Sequence, residues 1–247
     1  ENGLVTDIDG TIYDLTEEQM RAKGYNVVVV DLINPAKSSK FNPLNGLELN
    51  DDRIDELLET IFSKVKTEGD NAVFLESGKS LTKFMINELI YKGKMNNTVP
   101  TFNALFSELI GLTNVGLIEK LSTYKVSLTD DPNNTDLQKL IELGNAALVG
   151  DDVFNSAMIY VKPVIEVFGK EITSQITSGE DNVFDKLNNP NEKTIIYLRV
   201  NGSDIPIYKT IMGLFFQHSF RIMKNRENLK SKPRPTLCYL DEFGNYK

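Results

Sequence analysis

The chain has 247 residues, 40% of them apolar and 25% charged, which excludes wholesale disorder and leaves enough apolar surface to bury a core. Its 27 basic residues stand against 35 acidic ones, a formal net charge of -8. That balance argues against a surface that grips nucleic acid as a whole and leaves only a local or assembled basic channel.

The first 45 residues read as α/β. A short strand over 4–7 is followed by a helix over 16–23, stopped by Gly24, and then by the β-branched run 26–33 of a buried parallel strand. Asn34-Pro35 and Phe41-Asn-Pro43-Leu44 are turn chemistry. The pattern changes near Asn50. Ile54, Leu57, Leu58, Ile61, Phe62 and Val65 form one face of an amphipathic helix, with Asn50 or Asp51 as its cap. Helical periodicity continues near 71–92, 101–111, 114–126, 135–149 and 151–170, and Thr135-x-x-Gln138 reads as a capping box. Strand character returns at 193–200, an apolar helix follows over 205–223, and a strand over 236–240 lies close to the end. The expected architecture is an α/β sheet interrupted by an all-helical insertion, with divisions at 1–49, 50–182 and 183–247. Glu1 is no initiator methionine and strands sit near both extremes, so a piece of a longer protein is expected. No apolar run approaches the ~20 residues of a membrane span, and no secretory signal opens the chain.

Three motifs invite chemistry. The apolar strand Leu237-Cys-Tyr-Leu240 runs into Asp241-Glu242, the Walker B pattern of phosphate-loop ATPases. There Asp241 would hold magnesium and Glu242 would activate the attacking water; the alternative is a strand ending in a solvated acidic turn. The partner motif is absent. Glu76-Ser-Gly-Lys-Ser80 lacks the first glycine of a Walker A, with Val73 in its place, and falls within a helical pattern, so Lys79 reads as a solvated helix charge. Any phosphate loop would precede Glu1. The third motif is Thr6-Asp7-Ile-Asp9-Gly10-Thr11, which resembles the nucleophile motif of haloacid dehalogenase-type phosphatases. Asp7 would attack phosphorus, Asp9 would be the acid/base, and Gly150-Asp151-Asp152 would be the acidic magnesium motif. Against it, Gly150-Asp-Asp152 can simply end one helix and cap the next.

Two segments together are similar to the type IV coupling proteins, the TraG/TraD-like ATPases of conjugation. The first runs from Asp7 through Tyr13-Asp-Leu-Thr16, Lys23-Gly-Tyr25 and the second strand to Asn34-Pro35 and Phe41-Asn-Pro-Leu44. The second is Arg234-Pro-Thr-Leu-Cys-Tyr-Leu-Asp-Glu-Phe-Gly-Asn245. Thr177-Ser-Gly179 and Phe184 fit the family's re-entry into the sheet. The resemblance implies an incomplete RecA-like sheet interrupted by an all-α domain associated with substrate recognition. It implies ATP and magnesium as cofactors of the full-length protein and little or no ATP hydrolysis by this piece alone. The implied partners are a relaxase or relaxosome, DNA and type IV secretion channel components. A homo-hexamer on the cytoplasmic side of the bacterial inner membrane is the implied assembly. The family carries Asp-Pro-Lys-Gly-Glu after its first strand, whereas Asp7-Ile-Asp9-Gly-Thr11 stands here, so the lysine is lost.

The remaining candidates have bland readings. A single cysteine, Cys238, excludes an internal disulfide framework and reads as a buried small residue of its strand. A single histidine, His218, excludes paired-histidine catalysis and reads as a packing or surface residue. Lys230, Lys232 and Arg234 form a basic loop, and Asp51-Asp52 and Asp151-Asp152 are helix N-terminal charges. A stand-alone docking module built on the helical stretch, without catalysis, is the second functional class, and the phosphatase the third.

Overall fold

The computed structural model describes residues 1–67, 69–180, 182–229 and 231–240. Packing divides the chain into two compact units, Glu1–Pro43 with Lys170–Lys247, and Leu44–Gly169. In chain order, the first unit contributes β1 (Asn2–Ile8), α1 (Thr11–Ala22) and β2 (Tyr25–Asp31). The second contributes α2 (Asp52–Ile61), α3 (Ala72–Asn96), α4 (Phe102–Ile110), α5 (Asn114–Asp130), α6 (Thr135–Ala147) and α7 (Asp151–Ile165). The first unit then resumes with α8 (Glu171–Ile176), β3 (Lys193–Val200), α9 (Ile205–Lys224) and β4 (Thr236–Leu240). No helix among the described residues is long and apolar enough to cross a membrane.

The described strands form one parallel sheet in the order β2-β3-β1-β4. Alternate residues explain its burial. Val5, Val27, Val29, Ile195 and Tyr197 gather on one face, where Ile12, Tyr13 and Met20 of α1 pack against them. The other alternation, Leu4, Val28, Val30, Ile196 and Leu198, is buried as well, as continuous apolar runs in a parallel sheet require. Phe41, Phe184 and Phe215 form an edge-to-face cluster in the same unit, with centroids 4.9–5.9 Å apart. The amide of Phe41 donates to the Ile176 carbonyl at 2.9 Å, which ties the turn after β2 to α8.

β4 is the exception. It pairs only with β1 among the described residues, and Leu237 and Tyr239 are 63% and 60% exposed. Cys238, expected to be buried, is exposed for the same reason: an edge strand with nothing described over it shelters neither face.

α3 is the centre of the helical unit and packs against α2, α4, α6 and α7. Its residues from Leu81 to Ile90 are buried on nearly every side, Lys83 excepted, so its amphipathic signal is weak. Close approach is bought with glycine: a Cβ on Gly144 of α6 would lie 2.2 Å from Leu121 Cδ2 and 2.9 Å from Phe84 Cε2. Glu88 is fully buried in this unit. It accepts the Tyr124 hydroxyl at 2.7 Å and Lys120 Nζ at 3.0 Å, with Lys92 Nζ at 3.2 Å and Glu108 sharing both lysines. The paired carboxylates hold the Lys120 ammonium above its ordinary range against the opposing effect of burial, and burial with Glu88 raises the Tyr124 hydroxyl.

Local differences from the sequence reading have local causes. α1 begins at Thr11, five residues earlier than expected, because the Asp7 carboxylate caps it from within β1. β2 ends at Asp31 rather than running to 33, because Asp31 Oδ1 takes the amides of Ile33 and Asn34 and turns the chain. The cap of α2 is Asp51, whose Oδ1 accepts the Arg53 amide at 2.9 Å. Thr135 is not the cap of α6: Asn134 takes that place, accepting the Leu137 amide at 2.9 Å, while Gln138 bonds the Pro132 carbonyl instead. α7 stops at Ile165 and tightens into a 3-10 turn over Glu166–Gly169.

Candidate functional site at the carboxyl edge of the sheet

Ligands of open parallel sheets collect beyond the carboxyl ends of the strands. Here β1 ends at Ile8, β2 at Asp31, β3 at Val200 and β4 at Leu240. The register aligns Asp7 and Asp31 on either side of Arg199, with β3 between β1 and β2. Asp31 is fully buried and saturated. One oxygen holds the Ile33 and Asn34 amides at 2.9 and 2.8 Å, and the other accepts Arg199 Nη1 at 2.8 Å. Arg199 also reaches Asp14 at 3.2 Å and lies over the Tyr13 ring, 4.7 Å from its centroid. Tyr13 packs edge-on against Tyr197, whose hydroxyl lies 2.8 Å from Thr16 Oγ1. Burial, reinforced by Glu17, pushes the Tyr13 hydroxyl up to about 12, so it stays protonated at neutral pH.

Asp7 is fully buried, and its two oxygens accept the Ile12 and Tyr13 amides at 3.0 and 2.7 Å. That is a helix cap. A carboxylate that attacks phosphorus must present an oxygen to a substrate, and Asp7 presents neither. Asp9 adopts a left-handed conformation with φ 66°, followed by Gly10 at 80°. Its amide donates to the Val200 carbonyl at 2.8 Å, and its Oδ1 accepts the Gly202 amide at 2.8 Å. Asp9 therefore ties the turn after β1 to the turn after β3, which gives the position of the lost lysine a structural occupation. Gly10 must be bare: a Cβ there would meet Arg199 Nη2 at 2.3 Å.

The other sequence candidates lie apart from this edge or outside the described residues. Asp241 and Glu242 are outside the described residues. Lys79 sits within α3, as its helical pattern requires, but it is ion-paired with Glu59 at 2.8 Å and Glu76 at 3.3 Å rather than solvated. Asp151 and Asp152 occupy the first turn of α7, and Asp151 Oδ1 accepts from Asn114 Nδ2 at 2.6 Å. His218 is buried in α9, its ring nitrogens 2.7 Å from Asn182 Nδ2 and 2.8 Å from Arg221 Nη2. In the basic loop Lys232 is exposed, Arg234 is half-buried, and Lys230 is outside the described residues. Among the described residues no three His, Cys, Asp or Glu side chains are grouped to hold a metal ion. Sequence reasoning missed Arg199. The available signal was an arginine in a buried strand whose two neighbours each carry an aspartate near their ends.

The described residues offer no phosphate cradle at this edge. The first amides of α1, the natural anion site of such a turn, are already taken by Asp7. What the edge does hold is a rigid platform: two buried acids, one arginine and two aromatic rings that fix the strand ends beside β4.

A parallel sheet in the order β2-β3-β1-β4, with helices inserted between its strands, is a fold this chain shares with solved structures of conjugative coupling proteins. The profile of the type IV secretory system conjugative DNA transfer family matches residues 2–246, and the chain belongs to that family. No curated protein matches the chain in sequence. Among solved structures it is similar to the plasmid coupling protein TrwB in complex with the non-hydrolysable GTP analogue GDPNP, at 15% identity and TM-score 0.59, covering 99% of this chain and 57% of that one. The unbound monoclinic form of the bacterial conjugative coupling protein TrwBdeltaN70 gives 15% identity and TM-score 0.58, with coverage of 99% and 56%. TrwB in complex with ADP and Mg2+ gives 16% and 0.57, with 99% and 57%. The chain thus spans a little over half the length of these structures, and at such identities the likeness is one of fold.

Proposed function

We propose that this chain is the central part of a nucleotide-driven motor that couples DNA-bound protein substrate to a type IV secretion channel. In this reading the sheet unit belongs to the ATPase domain, and the helical insertion, drawn from the sequence at 50–182, recruits the substrate. Asp241 holds magnesium and Glu242 activates water, while the phosphate loop lies elsewhere in the longer protein. ATP and magnesium are the cofactors; the relaxase, its DNA and channel components are the partners. The working assembly is a hexamer on the cytoplasmic face of the inner membrane.

One observation carries the reading. β4 lies parallel beside β1, so Leu240 ends at the carboxyl edge, and Asp241-Glu242 follows it in the sequence. The test uses the longer protein with its phosphate loop. E242Q is expected to lower magnesium-dependent ATP turnover at least 100-fold while nucleotide still binds, and D241N to weaken the magnesium dependence. Wild-type turnover by E242Q would overturn the assignment. Robust ATP turnover by the 247-residue chain alone would overturn the placing of the phosphate loop outside it.

A further inference from the structure

The helical unit carries a groove of about 480 Å³ that the motor reading does not use. One wall is α7, from which Asp151, Phe154, Met158, Ile159 and Lys162 face it at helical spacing. The other wall is the turn after α4, Leu112 and Thr113, with the first two residues of α5, Asn114 and Val115. The floor is apolar, with Phe154 and Met158 buried, while the rims Val115 and Ile159 are 61% and 70% exposed. The two exposed branched side chains face one another across a single apolar concavity rather than standing apart on the surface.

Three further features describe the occupant. The groove is polarised. Asp151 and Asp152 stand at the start of α7, and Lys162, with no ion-pair partner among the described residues, stands 11 residues on, ~16 Å along a helix. Asn114 lines it, nine-tenths buried, donating to the Val149 carbonyl and Asp151, and its Oδ1 has no hydrogen-bond partner. Pro163 has no amide to offer the carbonyl of Ile159 one turn back. Acidic at one end, basic at the other and apolar along its floor, the groove suits an amphipathic peptide with complementary end charges.

The geometry points to this groove as the docking site for an amphipathic helix of about three turns from a protein substrate. The helix presents apolar side chains to Phe154, Met158 and the two rims, and a basic side chain to the Asp151–Asp152 end. It is the helix-in-groove mode, in which the bound segment satisfies its own backbone and needs only an apolar stripe and matched end charges. The inference rests on the recruitment role proposed above for the helical insertion.

The test uses the 247-residue chain, the intact relaxase of the same conjugative system, and overlapping 20-residue peptides covering that relaxase, read by fluorescence anisotropy. The variants are I159E and V115E on the rims, D152K at the acidic end, and V126E as control, since Val126 is 64% exposed in the same unit and does not line the groove. Unchanged unfolding midpoints verify that each variant folds. The expected result is a basic amphipathic peptide that binds wild type and V126E alike, at least 10-fold more weakly to I159E and V115E, and more weakly to D152K at low salt. Intact relaxase bound equally by wild type and the rim variants overturns the groove and leaves recruitment standing. Absence of any binding of intact relaxase to wild type overturns recruitment, and the groove with it.

Discussion

The two units bury carboxylates in opposite ways. In the sheet unit, Asp7 and Asp31 are fully buried and bond mainly to backbone amides two to six residues away in sequence. In the helical unit, Glu88 is as deeply buried, yet it is satisfied by side chains, Tyr124 and Lys120 at separations of 36 and 32 and Lys92 one turn along its own helix. The difference follows from the elements themselves. A strand end leaves amides of the next turn unpaired, and a short acid can reach them. The middle of a helix has no spare amides, so a buried acid there must find partners on other helices. A buried acid in the sheet unit thus shapes its own loop, while one in the helical unit joins helices together.

The sharpest way to break this comparison is to remove Glu88. E88A leaves the two lysines to Glu108 alone and the Tyr124 hydroxyl without its acceptor, and is expected to cost about 3 kcal/mol in urea unfolding. A cost below 1 kcal/mol would mean that Glu108 alone holds the lysines and that Glu88 joins nothing. Next comes packing between the same helices. G144A places a methyl against Leu121 and Phe84 and is expected to cost about 2–3 kcal/mol, with L121A in the same chain relieving part of it. Additive losses would mean that the two positions do not press on each other. In the sheet unit, D7A uncaps α1 and is expected to cost about 2 kcal/mol. Hydrogen exchange should show the loss in the first turn of α1, and a loss spread over the whole unit would argue that Asp7 does more than cap. The smallest effect concerns Asp51, an acid of the helical unit that behaves like those of the sheet unit. Arg53 beside it holds its carboxyl down to about 2, against an ordinary value near 3.8. Because the folded pKa is the lower one, its stabilisation is present above pH 4 and is lost as pH falls through about 2. D51N should therefore flatten the acid limb of stability by about 1 kcal/mol, and an unchanged pH profile would show that the cap works without its charge.

What was legible in the sequence was whatever depends on short-range pattern. The strand Lys193–Val200 and the strand Thr236–Leu240 coincide with their apolar runs, and the helices from α2 to α7 follow their periodicity to within a few residues. The family resemblance was legible too, because it rests on Phe41-Asn-Pro-Leu44 and the residues around Asp241-Glu242, which can be read as strings. The start of α1 was misplaced because its cap is an aspartate four residues before the first helical residue, a relation set by the turn geometry of Asp9 and Gly10. The exposure of Cys238 was misjudged because alternation within a strand says nothing about what covers it.

By itself the sequence determined the order of elements, the helical insertion, and the acidic pair after the last strand, since each is written in residue type at fixed spacing. Only the tertiary structure decided that Arg199 stands between Asp7 and Asp31, that Asp9 joins two turns, and that the start of α5 faces α7 across a groove. These relations join residues 37 to 193 positions apart. At such distances no local propensity acts, and strand register and the packing of side chains choose the partner.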